Sequence, residues 1–289
     1  MTTIRLSAFA DEASEALDGQ IAALKRNRIK FIEIRGVDGV NISNLSLDLT
    51  RAAGEKLSAA GIKVWSIGSP LGKINADEPF EKTLAILDDL LDKAEILGAK
   101  RIRMFSFFME KDEYDKYASQ VFERLAAMCE KAKARGVMLC HENESAIFGA
   151  TVNNCEKLYD AVPTLKSVYD PSNFIVWGED TDDALARLLD RADYIHIKDC
   201  VASSKTIVPS GYGDGKIDYI VKHVSGDKTM TLEPHLYEFT GYSQIDKKPL
   251  KNQFKFANSD ESFDFAVNAL KKILIDNGFS ESEEGTWTK

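Results

Sequence analysis

Eight short apolar runs, rich in Val, Ile and aromatic residues, recur along the 289-residue chain, beginning near Ile4, Lys30, Ile62, Lys100, Gly136, Lys166, Asp193 and Thr229. No other feature limits the fold so sharply. Their starts lie about 32 residues apart, close to the ~31 that eight strand-and-helix units sharing ~250 residues require. Between the runs the apolar period lengthens from strand-like to helical. Leu84, Leu87, Leu91, Ala94 and Leu97 form one stripe, Tyr117, Val121, Leu125, Met128 and Ala132 a second, and Phe263, Val267, Leu270 and Leu274 a third that would close a ring. Gly61, Gly98 and Gly136 follow helical segments, where a left-handed cap turns the chain into the next strand. Strand, helix and cap in repetition predict parallel β/α architecture.

An open doubly wound sheet shares this alternation, but it places a Gly-rich phosphate turn after its first strand. Here the first strand runs into Phe9-Ala10-Asp11-Glu12-Ala13-Ser14, and no glycine follows until Gly19. The expectation is therefore an α/β fold with a single (β/α)8 TIM barrel over residues 1–278 and a polar, mobile tail over 279–289. Two connections, Cys200–Asp214 and Leu236–Ser259, exceed the ~2–6 residues usual for α/β loops. These are long loops after strands 7 and 8, on the carboxyl side where barrel active sites lie, and either could act as a lid.

Charge removes one class of partner. Against 46 Asp and Glu there are 37 Lys and Arg, a net charge of −9, which opposes binding to nucleic acid. The four cysteines include no Cys-x-x-Cys pair and read as reduced thiols. Neither a secretory leader nor a run of ~20 apolar residues is present, so a cytoplasmic protein without membrane contact is expected.

Four successive strands end in ligand-type side chains: strand five in Cys140-His141-Glu142-Asn143-Glu144, strand six in Tyr169-Asp170, strand seven in His196-Ile197-Lys198-Asp199, and strand eight in Leu232-Glu233-Pro234-His235. Glu142, Asp170, His196 and Glu233 are each about one βα unit apart, so a barrel brings them together at its mouth. Three carboxylates so crowded repel one another unless a cation sits among them. One divalent ion is expected there. An oxygen-rich donor set with one nitrogen and no thiolate favours Mn²⁺, Mg²⁺ or Co²⁺, with Zn²⁺ also accommodated. Glu144 competes with Glu142, which lies nearer the strand. Glu33 (with Arg35), Lys73, Arg103, Asn173, Lys198 and His235 are candidates to grip substrate, set against ordinary surface ion pairing. His141 is turned by strand alternation toward the helices, which favours a structural role over that of a base.

The segments His141-Glu142-Asn143-Glu144, Tyr169-Asp170-Pro171-Ser172-Asn173, Ile195-His196-Ile197-Lys198-Asp199 with Val208-Pro209-Ser210-Gly211-Tyr212-Gly213-Asp214-Gly215, and Leu232-Glu233-Pro234-His235 resemble the sugar phosphate isomerase/epimerase family of xylose-isomerase-like TIM barrels. The resemblance spans nearly the whole chain. It implies a metal held by Glu142, Asp170, His196 and Glu233, with Mn²⁺ foremost, and isomerisation or epimerisation of a small sugar or sugar-like ketose. Proton abstraction α to a carbonyl would proceed through a metal-stabilised enediolate, with Glu142 and Glu233 moving the proton on opposite faces, and a homodimer or homotetramer is common in such a family. Related ketose 3-epimerases carry a His three residues after the strand-six Asp and an Arg downstream of the strand-seven His; this chain has Asn173 and Ala202 there.

Three alternatives stay open. A metal-assisted lyase, of the inosose-dehydratase type, begins with the same proton abstraction. In a C-glycoside-cleaving catalytic subunit, another lyase, His141 would be the base and a small β-rich partner subunit would be required. A non-catalytic sugar-binding or sensing barrel would keep the pocket without turnover. Abasic-site endonucleases share the superfamily but resemble histidine-rich, multi-zinc sites on basic surfaces, which four histidines and the acidic charge do not match.

Overall fold

The computed structural model describes residues 1–238, 254–282 and 285–289. Eight parallel strands form the barrel: β1 Thr3–Ala8, β2 Phe31–Ile34, β3 Lys63–Gly68, β4 Arg101–Met104, β5 Met138–Glu142, β6 Lys166–Tyr169, β7 Ala192–Ile197 and β8 Asp227–Leu232. Each pairs with its successor, and β8 pairs back onto β1, from Thr3 opposite Asp227 to Ala8 opposite Leu232. The ring is closed, as the spacing predicts, and no strand edge within it is left to seek a partner.

The described helices are α1 Leu17–Arg26, α2 Leu47–Ala59, α3 Phe80–Leu97, α4 Tyr114–Ala134, α5 Val152–Ala161, α6 Pro171–Trp177, α7 Thr181–Leu188, α8 Ile217–His223 and α9 Ser259–Asp276. The three apolar stripes face inward as expected: Leu87, Leu91 and Ala94 of α3, Val121, Leu125, Met128 and Ala132 of α4, and Phe263, Val267, Leu270 and Leu274 of α9 are all buried. Gly61, Gly98 and Gly136 have φ of +75°, +66° and +69°, so a Cβ at these positions would strain the turn into the following strand.

Strand alternation divides the apolar residues into two layers. Ile4, Leu6, Ile102, Leu139 and Ile195 pack outward in the large core shared with the helices, whereas Cys140, Val168 and Tyr194 form a separate cluster with Trp65 and Met138. The polar side chains above this second layer reach the carboxyl end. Ser7, Thr231 and His196 occupy neighbouring register positions on β1, β8 and β7, and the small Ser7 and Thr231 leave room for an imidazole.

One expectation about the ends needs revision. Far from being a mobile tail, the C-terminal residues add to the sheet: Thr286–Thr288 run antiparallel to β1, with Trp287 opposite Ile4 and only 2% exposed. The polar count of the tail concealed one indole, whose burial anchors it. Within the loop after β7, Asp199–Val201 pair antiparallel with Thr206–Val208. Most of the Leu236–Ser259 connection, residues 239–253, lies outside the described residues. No described helix is long and apolar enough to cross a membrane.

Candidate metal centre

Glu142 ends β5 and His196 lies in β7, while Asp170 and Glu233 are the first residues beyond β6 and β8. Alternation explains their common direction. Cys140 and Val168 point into the barrel, so Glu142 and Asp170, two residues further on, do the same. One ligand atom from each of Glu142, Asp170, His196 and Glu233 lies within 4.8 Å of every other, and all four residues are buried. The end of β5 is tied to that of β6 by Asn143, whose carboxamide accepts from the Asp170 N–H at 2.9 Å and donates to its carbonyl at 2.8 Å. Asp170 also caps α6, its Oδ1 accepting from the Asn173 N–H at 2.9 Å, which leaves Oδ2 turned toward the cluster.

His196 Nδ1 stands 3.1 Å from Glu142 Oε1 and 3.2 Å from Glu233 Oε2 without an aligned hydrogen bond to either. A buried nitrogen facing two carboxylate oxygens in this way fits a shared cation better than it fits a hydrogen-bonded core. Electrostatics agree. Burial opposes charge on Glu142, but His196 and Arg103 outweigh it and bring its pKa down to about 2. Glu233 is held well below the usual carboxylate range by Lys198 and His235, against its burial. Asp170 differs, because burial prevails over Lys198 and pushes it up to about 6. His196 is held well above the ordinary imidazole value, since Glu142 and Glu33 overcome the cost of burying its charge.

The remaining expected residues divide by depth. Lys198 extends its ammonium to 2.8 Å from Asp170 Oδ2 and 3.3 Å from Glu233 Oε2. Arg103 Nε lies 3.2 Å from Glu142 Oε2. Asn173 donates to Glu142 Oε1 at 3.2 Å and to the Asn143 carbonyl at 2.9 Å. His235 Nε2 is 3.3 Å from Glu233 Oε1. Lys73 sits further out, paired with Glu144 at 3.1 Å and lying over the Phe105 ring; Glu144, the rival of Glu142, is thus spent on the loop.

Two residues are not where a substrate or a base would be. Glu33 is 0% exposed, with one carboxylate oxygen accepting from Tyr194 Oη at 2.9 Å and the other 3.1 Å from His196 Nε2. It is enclosed between Tyr194 and His196 rather than open to the mouth. His141 points outward, its ring bonded to Ser106 Oγ at 2.9 Å and Tyr159 Oη at 3.2 Å. Burial drops its pKa to about 3, against a small upward pull from Glu142.

Sequence reasoning passed over Asp11 and Glu12. Both follow β1, and Arg35 binds Asp11 through two nitrogens at 2.9 and 3.0 Å, Glu12 at 3.1 Å and Glu233 at 3.1 Å. The strand-end rule that picked out Glu142 applies equally to them. Asp199 was also missed. Its two oxygens accept N–H bonds from Cys200, Gly211, Gly213 and Gly215 at 2.8–3.1 Å, holding the glycine loop beside the mouth.

The fold and this centre define a closed (β/α)8 barrel with a carboxylate-rich, one-histidine cluster, and comparison with known proteins names the family. The model of the xylose isomerase-like TIM barrel family matches residues 21–273, and the chain belongs to that family. No curated protein matches it in sequence. Similar solved structures include the IOLI protein with a bound zinc atom, at 15% identity and TM-score 0.69 over 94% of this chain and 97% of that one. An L-ribulose 3-epimerase follows at 16% identity and TM-score 0.66, covering 96% and 97%. The probable 3-DHS dehydratase AsbF of Bacillus anthracis shows 16% identity and TM-score 0.66, covering 92% and 97%. At these identities the likeness concerns the fold.

Proposed function

We propose that the protein is a divalent-metal-dependent isomerase or epimerase of a small sugar or sugar-like ketose, acting by proton abstraction α to the carbonyl. The observation that carries this reading is the meeting of Glu142, Asp170, His196 and Glu233 within 4.8 Å at the barrel mouth. These residues would hold the ion, and their oxygen-rich set favours Mn²⁺ over Zn²⁺. Such an ion, when bound, supplies the Lewis acidity that makes a hydrogen beside a carbonyl removable. Glu142 and Glu233 arrive from β5 and the end of β8, ionised at neutral pH and braced by Arg103 and Arg35 respectively. They are the proposed proton carriers. Lys198 offers N–H donors to substrate oxygens. The zinc bound in the IOLI structure and the likeness to an L-ribulose 3-epimerase support the reading at family level.

One observation favours a second reading, metal-assisted elimination. Asn173 stands where ketose 3-epimerases carry a histidine, and its amide is committed to Glu142 and Asn143. The C-glycoside-cleaving variant loses support, since His141 is bonded outside the barrel.

The test is deuterium uptake from heavy water by the metal-loaded protein across ketoses, inososes and 3-keto glycosides. The isomerase reading expects label at the carbon beside the carbonyl in a product that has lost nothing else. Elimination instead releases water or an aglycone. Glu142→Gln and Glu233→Gln should each slow exchange by about 10²–10⁴-fold, the usual worth of a positioned base. Binding without exchange on any candidate would leave only a sensing barrel.

A further inference from the structure

We propose that Glu33 is a positioning residue that fixes which nitrogen of His196 faces the three carboxylates, and thereby the affinity of the centre for a divalent cation. The inference rests on reading Glu142, Asp170, His196 and Glu233 as cation ligands. A neutral imidazole carries one N–H, and either ring nitrogen can hold it. At His196 the choice is made from below. Glu33 Oε2 is 3.1 Å from Nε2, and a carboxylate oxygen can only accept, so Nε2 donates. With the Nε2 proton held by Glu33, the proton that a cation displaces is the one on Nδ1, which lies 3.1 and 3.2 Å from Glu142 Oε1 and Glu233 Oε2. The opposite tautomer would place an N–H among these oxygens and compete with a cation for them.

Glu33 is itself held. Tyr194 Oη donates to its other oxygen at 2.9 Å, and Ser66 Oγ lies 3.4 Å from that hydroxyl. The aromatic rings of Phe9 and Tyr194 meet the imidazole edge-on, with centroids 5.2 and 5.5 Å away. Arg103 Nε makes a long ion pair, at 3.9 Å, with Glu33 Oε1, the oxygen that does not face His196. A fully buried carboxylate is costly unless its partners are well placed. Here the hydrogen-bonding partners are one hydroxyl and one imidazole, an arrangement suited to orienting the ring, as carboxylates behind metal-bound histidines do. Glu33 has no exposure through which a substrate could reach it.

Zinc affinity, measured by competition with a chelator, is compared in the wild type, Glu33→Leu and Glu33→Gln. Nitrogen-15 histidine NMR of the zinc-loaded wild type reads the His196 tautomer without any substitution. The expected outcome is a proton on Nε2 with Nδ1 coordinated, a 10–100-fold loss of affinity in Glu33→Leu, and substantial recovery in Glu33→Gln, whose carbonyl still accepts from Nε2. Rescue by glutamine separates orientation from simple core disruption. Wild-type affinity in Glu33→Leu, no recovery in a folded Glu33→Gln, or a proton on Nδ1, would overturn the assignment of Glu33 alone. A wild type that binds neither zinc nor Mn²⁺ would overturn the metal reading with it.

Discussion

Lys198 and Asp170 form a buried ion pair, Nζ to Oδ2 at 2.8 Å, at the edge of the carboxylate cluster. The ammonium offsets part of the charge that Glu142, Asp170 and Glu233 bring together. Removing one member of such a pair leaves an uncompensated buried charge, at a cost of about 3–5 kcal/mol. Lys198→Met should therefore lower the melting temperature of the metal-free protein, and a bound dication should restore more of it than in the wild type. Thermal unfolding with and without Mn²⁺ checks this; an unchanged metal-induced shift would refute it.

Binding of a divalent ion should release protons and weaken as the solution is acidified. Asp170, raised to about 6 by burial, must ionise, and His196, held well above its ordinary value by Glu142 and Glu33, must lose its Nδ1 proton. Both requirements have the same sign, so affinity rises with pH. Calorimetric titration in buffers of different ionisation enthalpy measures the protons released, and a buffer-independent heat would contradict the prediction.

The glycine loop after β7 should melt locally when Asp199 is replaced. Its four N–H partners lose a charged acceptor in Asp199→Ala, and each such bond contributes about 1.5–3 kcal/mol net of its exchange with water. Amide exchange of Gly211, Gly213 and Gly215 should accelerate at least tenfold while β1–β8 remain protected. Gly213→Ala should act similarly, because a Cβ there would meet Asp199 Oδ1 at 2.4 Å and the Cys200 carbonyl at 2.7 Å.

His141 links stability to pH. Its pKa falls by burial from 6.5 to about 3, so between these values the unfolded chain binds a proton that the folded protein refuses. The stability this neutral histidine contributes is complete above pH 6.5 and is lost progressively as pH drops toward 3. Denaturant unfolding over that window should show a shallower slope in His141→Gln than in the wild type. Equal slopes would mean that the ring takes up its proton in the folded state.

Much of the architecture is legible along the chain because periodicity belongs to consecutive residues. Leu87, Leu91 and Ala94 declare a helix face by spacing alone, and Cys140, His141 and Glu142 declare in, out and in by alternation. The meeting of Glu142, Asp170, His196 and Glu233 could be read for the same reason: they sit one βα unit apart at strand ends, and ring closure does the rest. Trp287 gave no such signal, since a three-residue strand surrounded by polar groups has too little pattern to mark it. Asp199 was obscured by Lys198 and His196 beside it, and its role depends on a loop returning 12 to 16 residues later.

What the sequence by itself determined is the order of strands and helices, the closed barrel and the set of residues delivered to its mouth. Only the tertiary structure decided how those residues are paired: Arg35 with Asp11, Glu12 and Glu233, and Glu33 with His196 across 163 positions. The physical reason is one of range. Backbone periodicity and turn chemistry act over a few residues, whereas depth in a barrel and the direction of a ring nitrogen are set by strand stagger and packing between segments that meet only when the ring closes.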